Sequence, residues 1–208
     1  MSQRYQISHA IRSTLVLWVL TAFIYPLFML ISGQIAFSDQ VNGSLIKNSQ
    51  GVIIGSALIG QPFTSEKYFW NRPSTTNYST ANPKDDKAGI LKTGVSGASN
   101  LAPSNPVLLE RINGTGGEIK RLQTADIQPT GDLVYTSGSS LDPHITPESA
   151  KLQIARIVKA RGIEAKQLET LIAQNTDGRF LGVFGEPGVN VLKLNLALDH
   201  VLSVLGEL

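Results

Sequence analysis

Apolar positions are spread unevenly along this chain. Ser13 to Ser38 is a run of 26 residues without a charged side chain, and within it Leu15 to Leu20 and Ala22 to Ile31 are almost wholly apolar. A helix rises about 1.5 Å per residue and a hydrocarbon core is about 30 Å thick, so about 20 residues are enough to cross it. The run therefore predicts one transmembrane helix over residues 13–37. Residues 1–12 form a short tail before it and residues 38–208 one domain after it. No other stretch reads this way.

Past Asp39 the pattern breaks into short periodic elements. Ser44 to Lys47 and the β-branched Val52 to Ile59 predict a hairpin, turning through Asn48, Ser49, Gln50 and Gly51. Asn105 and Pro106 read as the cap and first residue of a helix, whose apolar Val107, Leu108, Leu109 and Ile112 stop before a glycine break, after which Glu118 to Ala125 resumes helical spacing. Thr146 caps a second helix that has Pro147 at its first position. Its buried face is Leu152, Ile154, Ala155, Ile157 and Val158, and it ends at Arg161 and Gly162. A third amphipathic helix runs from Glu164 to Gln174 with Leu168, Leu171 and Ile172 inward. Phe180 to Phe184 reads as a short buried strand, and the alternation of Val189, Val191, Leu192, Leu194, Leu196 and Leu198 as a terminal strand. The fold class is α+β: a single N-terminal transmembrane helix followed by one α+β domain with a small sheet.

Gln61 to Asn105 is different in kind. Pro62, Pro73, Pro83 and Pro103, the glycines Gly89, Gly94 and Gly97, and many Ser, Thr and Asn leave little periodicity. Flexible linkers seldom carry aromatics, yet Phe63, Tyr68, Phe69, Trp70 and Tyr78 lie here. An ordered, irregular excursion packed on the domain is expected, and long ordered loops usually serve a function.

A cleaved signal peptide competes with the anchor, since Arg4 and Arg12 precede the apolar run. A signal h-region is about 7 to 15 residues long and ends in small residues. This run is longer and places Gln34 where a small residue is wanted, which favours retention. Lys and Arg stay on the cytoplasmic side, and no acid occurs among the first 38 residues, so the N-terminus is expected in the cytoplasm and the domain outside it. Inside the span, Pro26 leaves a backbone carbonyl without its helical donor, a deficit that neighbouring helices often cover. Trp18, Tyr25 and Pro26 are thus candidate partner contacts in the membrane.

Composition narrows the chemistry. The net charge of +2 gives no footprint for nucleic acid, and the absence of cysteine excludes disulfides and thiolate metal sites. Asp142 and His144 are two apart but have no third ligand at useful spacing, so a polar turn before the helix outweighs a metal site, and no metal residues are assigned. Ser96 to Asn100 and Gly185 to Gly188 are small-residue loops able to offer backbone amides to phosphate, but neither has the GxxxxGK[ST] pattern. No G-x-S-x-G elbow is present. Leu91-Lys92-Thr93-Gly94-Val95 approaches the D-K-T-G-T motif of P-type ATPases with Leu91 at the phosphorylated position, so this chain accepts no phosphoryl group there. Tyr68, Trp70 and Arg72 are the soluble domain's candidate partner contacts, since Trp, Tyr and Arg dominate interface hot spots. The competing reading is that Tyr68 and Trp70 plug the core beneath the loop. Asp142 and Glu186 are candidates for an acidic mouth that gathers cations.

Five ordered strings, Gly55–Phe63 (GSALIGQPF), Tyr68–Ser74 (YFWNRPS), Val95–Pro106 (VSGASNLAPSNP), Thr136–Pro147 (TSGSSLDPHITP) and Arg179–Leu192 (RFLGVFGEPGVNVL), closely resemble the C subunit of the Kdp-type potassium-transporting ATPase. The resemblance covers nearly the whole chain. It implies a single-pass protein of the bacterial inner membrane with its C-terminal domain in the periplasm. It also implies assembly with a potassium-channel-like A subunit, a P-type ATPase B subunit and a small F subunit. It implies an accessory subunit, not itself an enzyme, needed for assembly and activity of a complex that uses ATP and potassium, with no cofactor of its own. The alternative it implies is a catalytic chaperone that contacts ATP through Ser96, Gly97, Ser99 and Asn100 and raises the affinity of the B subunit. An extracytoplasmic domain does not meet cytoplasmic ATP, so on this topology such an effect travels through the membrane segments as a coupling between states.

Overall fold

In an apolar setting an uncharged backbone satisfies its own amides by closing into a helix. The computed structural model describes residues 3–48, 50–80 and 94–206, in two units, residues 1–45 and 46–208. In the first unit α1 (Gln3–Val19), a π turn (Leu20–Ile24) and α2 (Tyr25–Ala36) follow one another without a break, and a short α3 (Ser38–Val41) comes after. The apolar stretch Tyr5–Ala36 is 32 residues long and buries none of its side chains within the chain. Helical backbone thus begins well before Ser13. The π turn sits immediately before Pro26 for a physical reason. Proline has no N–H, and its ring crowds the carbonyl four residues back. One extra residue in the turn relieves that crowding, and the Tyr25 N–H donates to the carbonyl of Leu20, five residues back. The Thr21 hydroxyl adds a bond to the Leu17 carbonyl at 2.8 Å.

The second unit is the α+β domain. A hairpin joins β1 (Leu45–Lys47) to β2 (Ile53–Ser56). Asn48 closes it by accepting from the amides of Gln50 and Val52 at 3.0 and 2.9 Å, and Gly51 takes a positive φ. Then come α4 (Pro106–Asn113), α5 (Glu118–Thr124), α6 (Gly131–Val134), β3 (His144–Ile145), α7 (Pro147–Lys151), α8 (Ile154–Arg161), α9 (Ala165–Gln174), β4 (Thr176–Asp177), β5 (Gly188–Asn190) and α10 (Val191–Gly206). Asn105 caps α4 through Val107 N–H and Thr146 caps α7 through Ser149 N–H, as their sequences predict. Gly162 ends α8 in the left-handed conformation. The helix expected from Thr146 is interrupted at Leu152 and Gln153, and Gln153 turns fully inward.

The sheet is small: β5 lies between β3 and β4, antiparallel to both, with His144 opposite Asn190 and Thr176 opposite Val189. Its apolar face joins one core with Phe69, Trp70, Leu122, Leu133, Ile145, Ile157, Leu168, Ile172, Val189, Leu194 and Leu198. The irregular excursion is ordered across 61–80 and 94–105, contributing Phe69, Trp70 and Tyr78 to the interior. Ser49, Pro83, Gly89 and Leu91 to Thr93 lie outside the described residues.

Two expected strands are corrected. Phe180 to Phe184 is an exposed turn: Phe180 N–H donates to Phe184 O at 2.8 Å and Phe184 N–H to Phe180 O at 2.9 Å around Leu181 and Gly182, both at positive φ. Its bulky side chains face solvent, Leu181 being 76% exposed. An apolar run of five residues does not by itself reveal which way it faces. Val189 to Leu198 is strand only as far as Asn190. There Asn190 Oδ1 accepts from Lys193 N–H at 3.1 Å and caps α10. The buried set Val191, Leu192, Leu194, Asn195 and Leu198 follows helical spacing, which Leu192, Leu194, Leu196 and Leu198 together disguise as alternation.

Candidate functional site

A segment without helix or strand must find partners for its backbone elsewhere. Glu66 to Trp70 finds them in side chains. Arg156 donates through Nη1 to the Glu66 carbonyl and through Nη2 to that of Tyr68 at 2.7 Å, and Arg161 Nε donates to Lys67 O at 2.6 Å. Asn195 reads both backbone groups of Phe69, accepting its N–H at 2.8 Å and donating to its carbonyl at 3.0 Å. Gln153 does the same for Trp70 at 2.7 and 3.1 Å. Five consecutive carbonyls are thus capped from α8, α10 and the residue between α7 and α8.

The side chains of this segment are locked as firmly. The guanidinium groups of Arg121 and Arg156 both lie over the Trp70 indole, 4.7 and 4.2 Å from its centroid, and its Nε1 donates to Ser65 O at 3.0 Å. Burial, with Arg121 as a neighbouring cation, pulls Arg156 down to about 10, which leaves it charged at neutral pH. The Tyr68 hydroxyl donates to Asp199 at 2.9 Å, and Arg161 both stacks on the Tyr68 ring and pairs with Asp199 at 2.8 Å.

Beyond Trp70, Arg72 opens a charged chain. Its Nη1 lies 3.1 Å from Asp142, which accepts the His144 N–H at 2.9 Å and stands 3.5 Å from His144 Nδ1. On its other side the ring meets Asp177 at 3.1 Å, a third group 33 residues away in sequence. Hydrogen bonding to Asp142 raises His144 above its ordinary value against the opposing effect of burial, and Asp177 adds to the rise. Burial works against the Asp142 carboxylate, but its bonds to His144 and the charge of Arg72 hold it below the usual range. No three His, Cys, Asp or Glu among the described residues form a cluster able to hold a metal.

Ser96 and Gly97 are strapped to one carbonyl: Ser96 Oγ and Gly97 N–H donate to Ser139 O at 3.0 and 2.9 Å, while Thr75 Oγ1 donates to Gly97 O at 2.9 Å. The Gly97 amide is therefore spent within the chain. Ser99 is half-buried, and Asn100 adopts a left-handed backbone with φ 52°. Glu186 is paired with Arg179 at 2.8 and 3.0 Å, away from Asp142 in the hydrogen-bond network. Trp18, Tyr25 and Pro26 lie exposed on the apolar helix, with Trp18 edge-on to Phe23.

Comparison with known proteins decides the family. The model described as KdpC: K+-transporting ATPase, c chain, matches residues 7–200. The chain belongs to the KdpC family. It is 65% identical over 201 residues to potassium-transporting ATPase KdpC subunit 1 of Nostoc sp., covering 97% of this chain and 98% of that one. It is 61% identical over 212 residues to the KdpC subunit of Microcystis aeruginosa, covering 98% and 99% of the two chains, and 58% identical over 191 residues to that of Synechocystis sp., covering 92% and 96%.

Within this KdpC-family chain, sequence reasoning reaches Tyr68, Trp70 and Arg72 but misses what holds them. Gln153 and Asn195 are single amides set among apolar neighbours, Leu152 and Ile154 for one, Leu194 and Leu196 for the other. A buried amide at such a position needs partners, and that is the signal available to find it.

Proposed function

We propose that this chain is an accessory, non-catalytic subunit of a potassium-transporting ATPase, anchored by residues 13–37 with residues 1–12 in the cytoplasm and residues 38–208 in the periplasm of a bacterial inner membrane. It holds its partners, a potassium-channel-like subunit, a P-type ATPase subunit and a small membrane subunit, through the apolar helix. The observation that carries this is the helix itself. All 32 residues of Tyr5–Ala36 remain unburied within the chain, and Trp18, Tyr25 and the π turn before Pro26 give its surface a definite relief. An apolar surface of that extent is complementary to lipid and to other membrane helices.

In the soluble domain Trp70 supports the loop from within, while Tyr68 and Arg72, only partly covered, present its outer side to a partner. The other reading, contact with ATP through Ser96, Gly97, Ser99 and Asn100, draws support from the loop's small residues, but the Gly97 amide is engaged by Ser139. A reporter fused after Leu208 tests the topology: a reporter active only in the periplasm is expected, and cytoplasmic fluorescence overturns it. Stoichiometric co-purification with a channel-like protein and a P-type ATPase is expected, and isolation of this chain alone from intact membranes overturns the accessory role.

A further inference from the structure

Phe180, Leu181, Val183 and Phe184 set four large apolar side chains around Gly182 in the loop that joins β4 to β5. Such a cluster is expected to fold inward, yet these four are 71, 76, 69 and 63% exposed in chain order. A single exposed apolar residue needs no explanation, whereas a contiguous patch marks a contact surface.

The turn holds this shape by itself. The amides of Phe180 and Phe184 each donate to the other's carbonyl, Gly182 N–H donates to Arg179 O at 3.0 Å and Val183 N–H to Phe180 O at 3.2 Å. At its base Arg179 Nη2 donates to both carboxylate oxygens of Glu186. Leu181 sits in the left-handed region, a strained state that persists only where the surrounding bonds fix it and that is concentrated at functional sites. With the donors of Phe180, Gly182, Val183 and Phe184 already satisfied, covering the turn strips water mainly from apolar groups.

Shape and charge select what covers it. A fluid bilayer conforms to any apolar segment and gains nothing from a fixed shape, while a rigid pocket gains affinity from a shape set in advance. Anionic lipid draws clustered basic residues, but the cation flanking this turn, Arg179, is neutralised by Glu186. We propose that residues 180–184 form a preformed plug that seats in an uncharged apolar pocket on another protein subunit of the transport complex. The plug rests on the accessory role proposed above and adds a contact outside the apolar helix.

The test uses the full chain, which has no cysteine of its own, carrying Leu181→Cys. Maleimide labelling of this chain is followed in three settings: alone in detergent, alone in vesicles of phosphatidylcholine and phosphatidylglycerol, and in the complex recovered through a tag on the ATPase subunit. Fast labelling is expected in the first two. In the complex it is expected to slow by about tenfold or more, because the plug must leave its pocket before it reacts. Equal rates in detergent and in the complex overturn the plug. Protection in vesicles of the chain alone assigns the turn to the bilayer, and protection in detergent that grows with concentration assigns it to a second copy; either overturns the proposal. Leu181→Asp is an independent variant, since aspartate accepts the left-handed backbone and sets a charge in the pocket. It is expected to keep the wild-type unfolding midpoint and to weaken the complex by about a hundredfold or more, measured by dilution of the solubilised complex. Wild-type affinity in this variant overturns the plug alone, whereas failure of the unsubstituted chain to recover partners overturns the accessory role and the plug with it.

Discussion

The side-chain amide of Gln153 holds Trp70 by both of its backbone groups, accepting its N–H at 2.7 Å and donating to its carbonyl at 3.1 Å. One side chain here does the work of a neighbouring strand. With Asn195 on Phe69 it makes a two-residue ladder built of amides, which lets a loop without regular structure lie buried.

Replacing Gln153 by Leu therefore leaves two buried backbone groups and one bond of Arg156 unmade. The expected loss is about 3 kcal/mol of unfolding free energy, read as a lower urea midpoint. Gln153→Glu keeps the acceptor and loses the donor, so it is expected to fall between Leu and wild type in stability. Asn195→Leu joined with Gln153→Leu should be less than additive, since the first change already frees the loop. Strict additivity in a double-mutant cycle would show that the two amides act on independent structures.

The chain Arg72, Asp142, His144, Asp177 predicts a pH profile. A His raised by its partners contributes stability that is complete below its unfolded value of 6.5 and is lost as pH climbs through the higher folded value. Asp142 and Asp132 contribute above 3.8 and lose that contribution as pH falls through their folded values; Asp132, in α6, is held low against the effect of burial by accepting the Thr146 N–H at 2.7 Å and the Ser149 hydroxyl at 3.0 Å. Stability is thus expected to be highest between these limits. His144→Gln should flatten the descent above 6.5 and also shrink the share of the acid limb that Asp142 owes to the His144 side chain, leaving the share of Asp132 in place. An unchanged upper limb in the variant would remove His144 as its source.

What was legible in the sequence follows physical range. Caps at Asn105 and Thr146, the closing Gly162 and the inward face of α9 depend on neighbours within one or two turns, and the sequence displays them directly; on α8 the expected Ala155 faces solvent and Arg156 turns inward instead, because its guanidinium serves the carbonyls of Glu66 and Tyr68. The domain's polar framework depends on pairs such as Phe69 with Asn195 and Arg72 with Asp142, far apart in the chain, where spacing carries no signal. Leu194 and Leu196 show the same limit: both fit an alternating strand, and only the cap at Asn190 turns the segment into a helix that buries the first more deeply than the second.

At the exposed turn, Leu181 holds a φ of 51°, a conformation that costs a residue with a β-carbon about 1 kcal/mol or more. Leu181→Gly is expected to leave stability equal or raise it by up to about 1 kcal/mol, while the β-branched Leu181→Val lowers it. Phe180→Ser and Phe184→Ser remove exposed side chains and should change the unfolding free energy by no more than about 0.5 kcal/mol. A loss of several kcal/mol in either serine variant would mean that this turn is packed.

The strongest test of the anchor is one of rotation. The π turn adds one residue to the helix between Trp18 and Phe28, and each residue of an α-helix turns its face by about 100°. Pro26→Leu restores the missing N–H and lets the turn close into regular helix, so the face presented before Leu20 swings by that angle against the face after Ile24. The variant is expected to insert into the membrane normally and to co-purify poorly with the partner subunits proposed above. Deleting Ala22 in the same variant takes out the surplus residue, realigns the two faces and should restore co-purification. Wild-type recovery of partners by Pro26→Leu alone, or no rescue by the deletion, would show that the apolar helix serves as a tether whose faces do not matter.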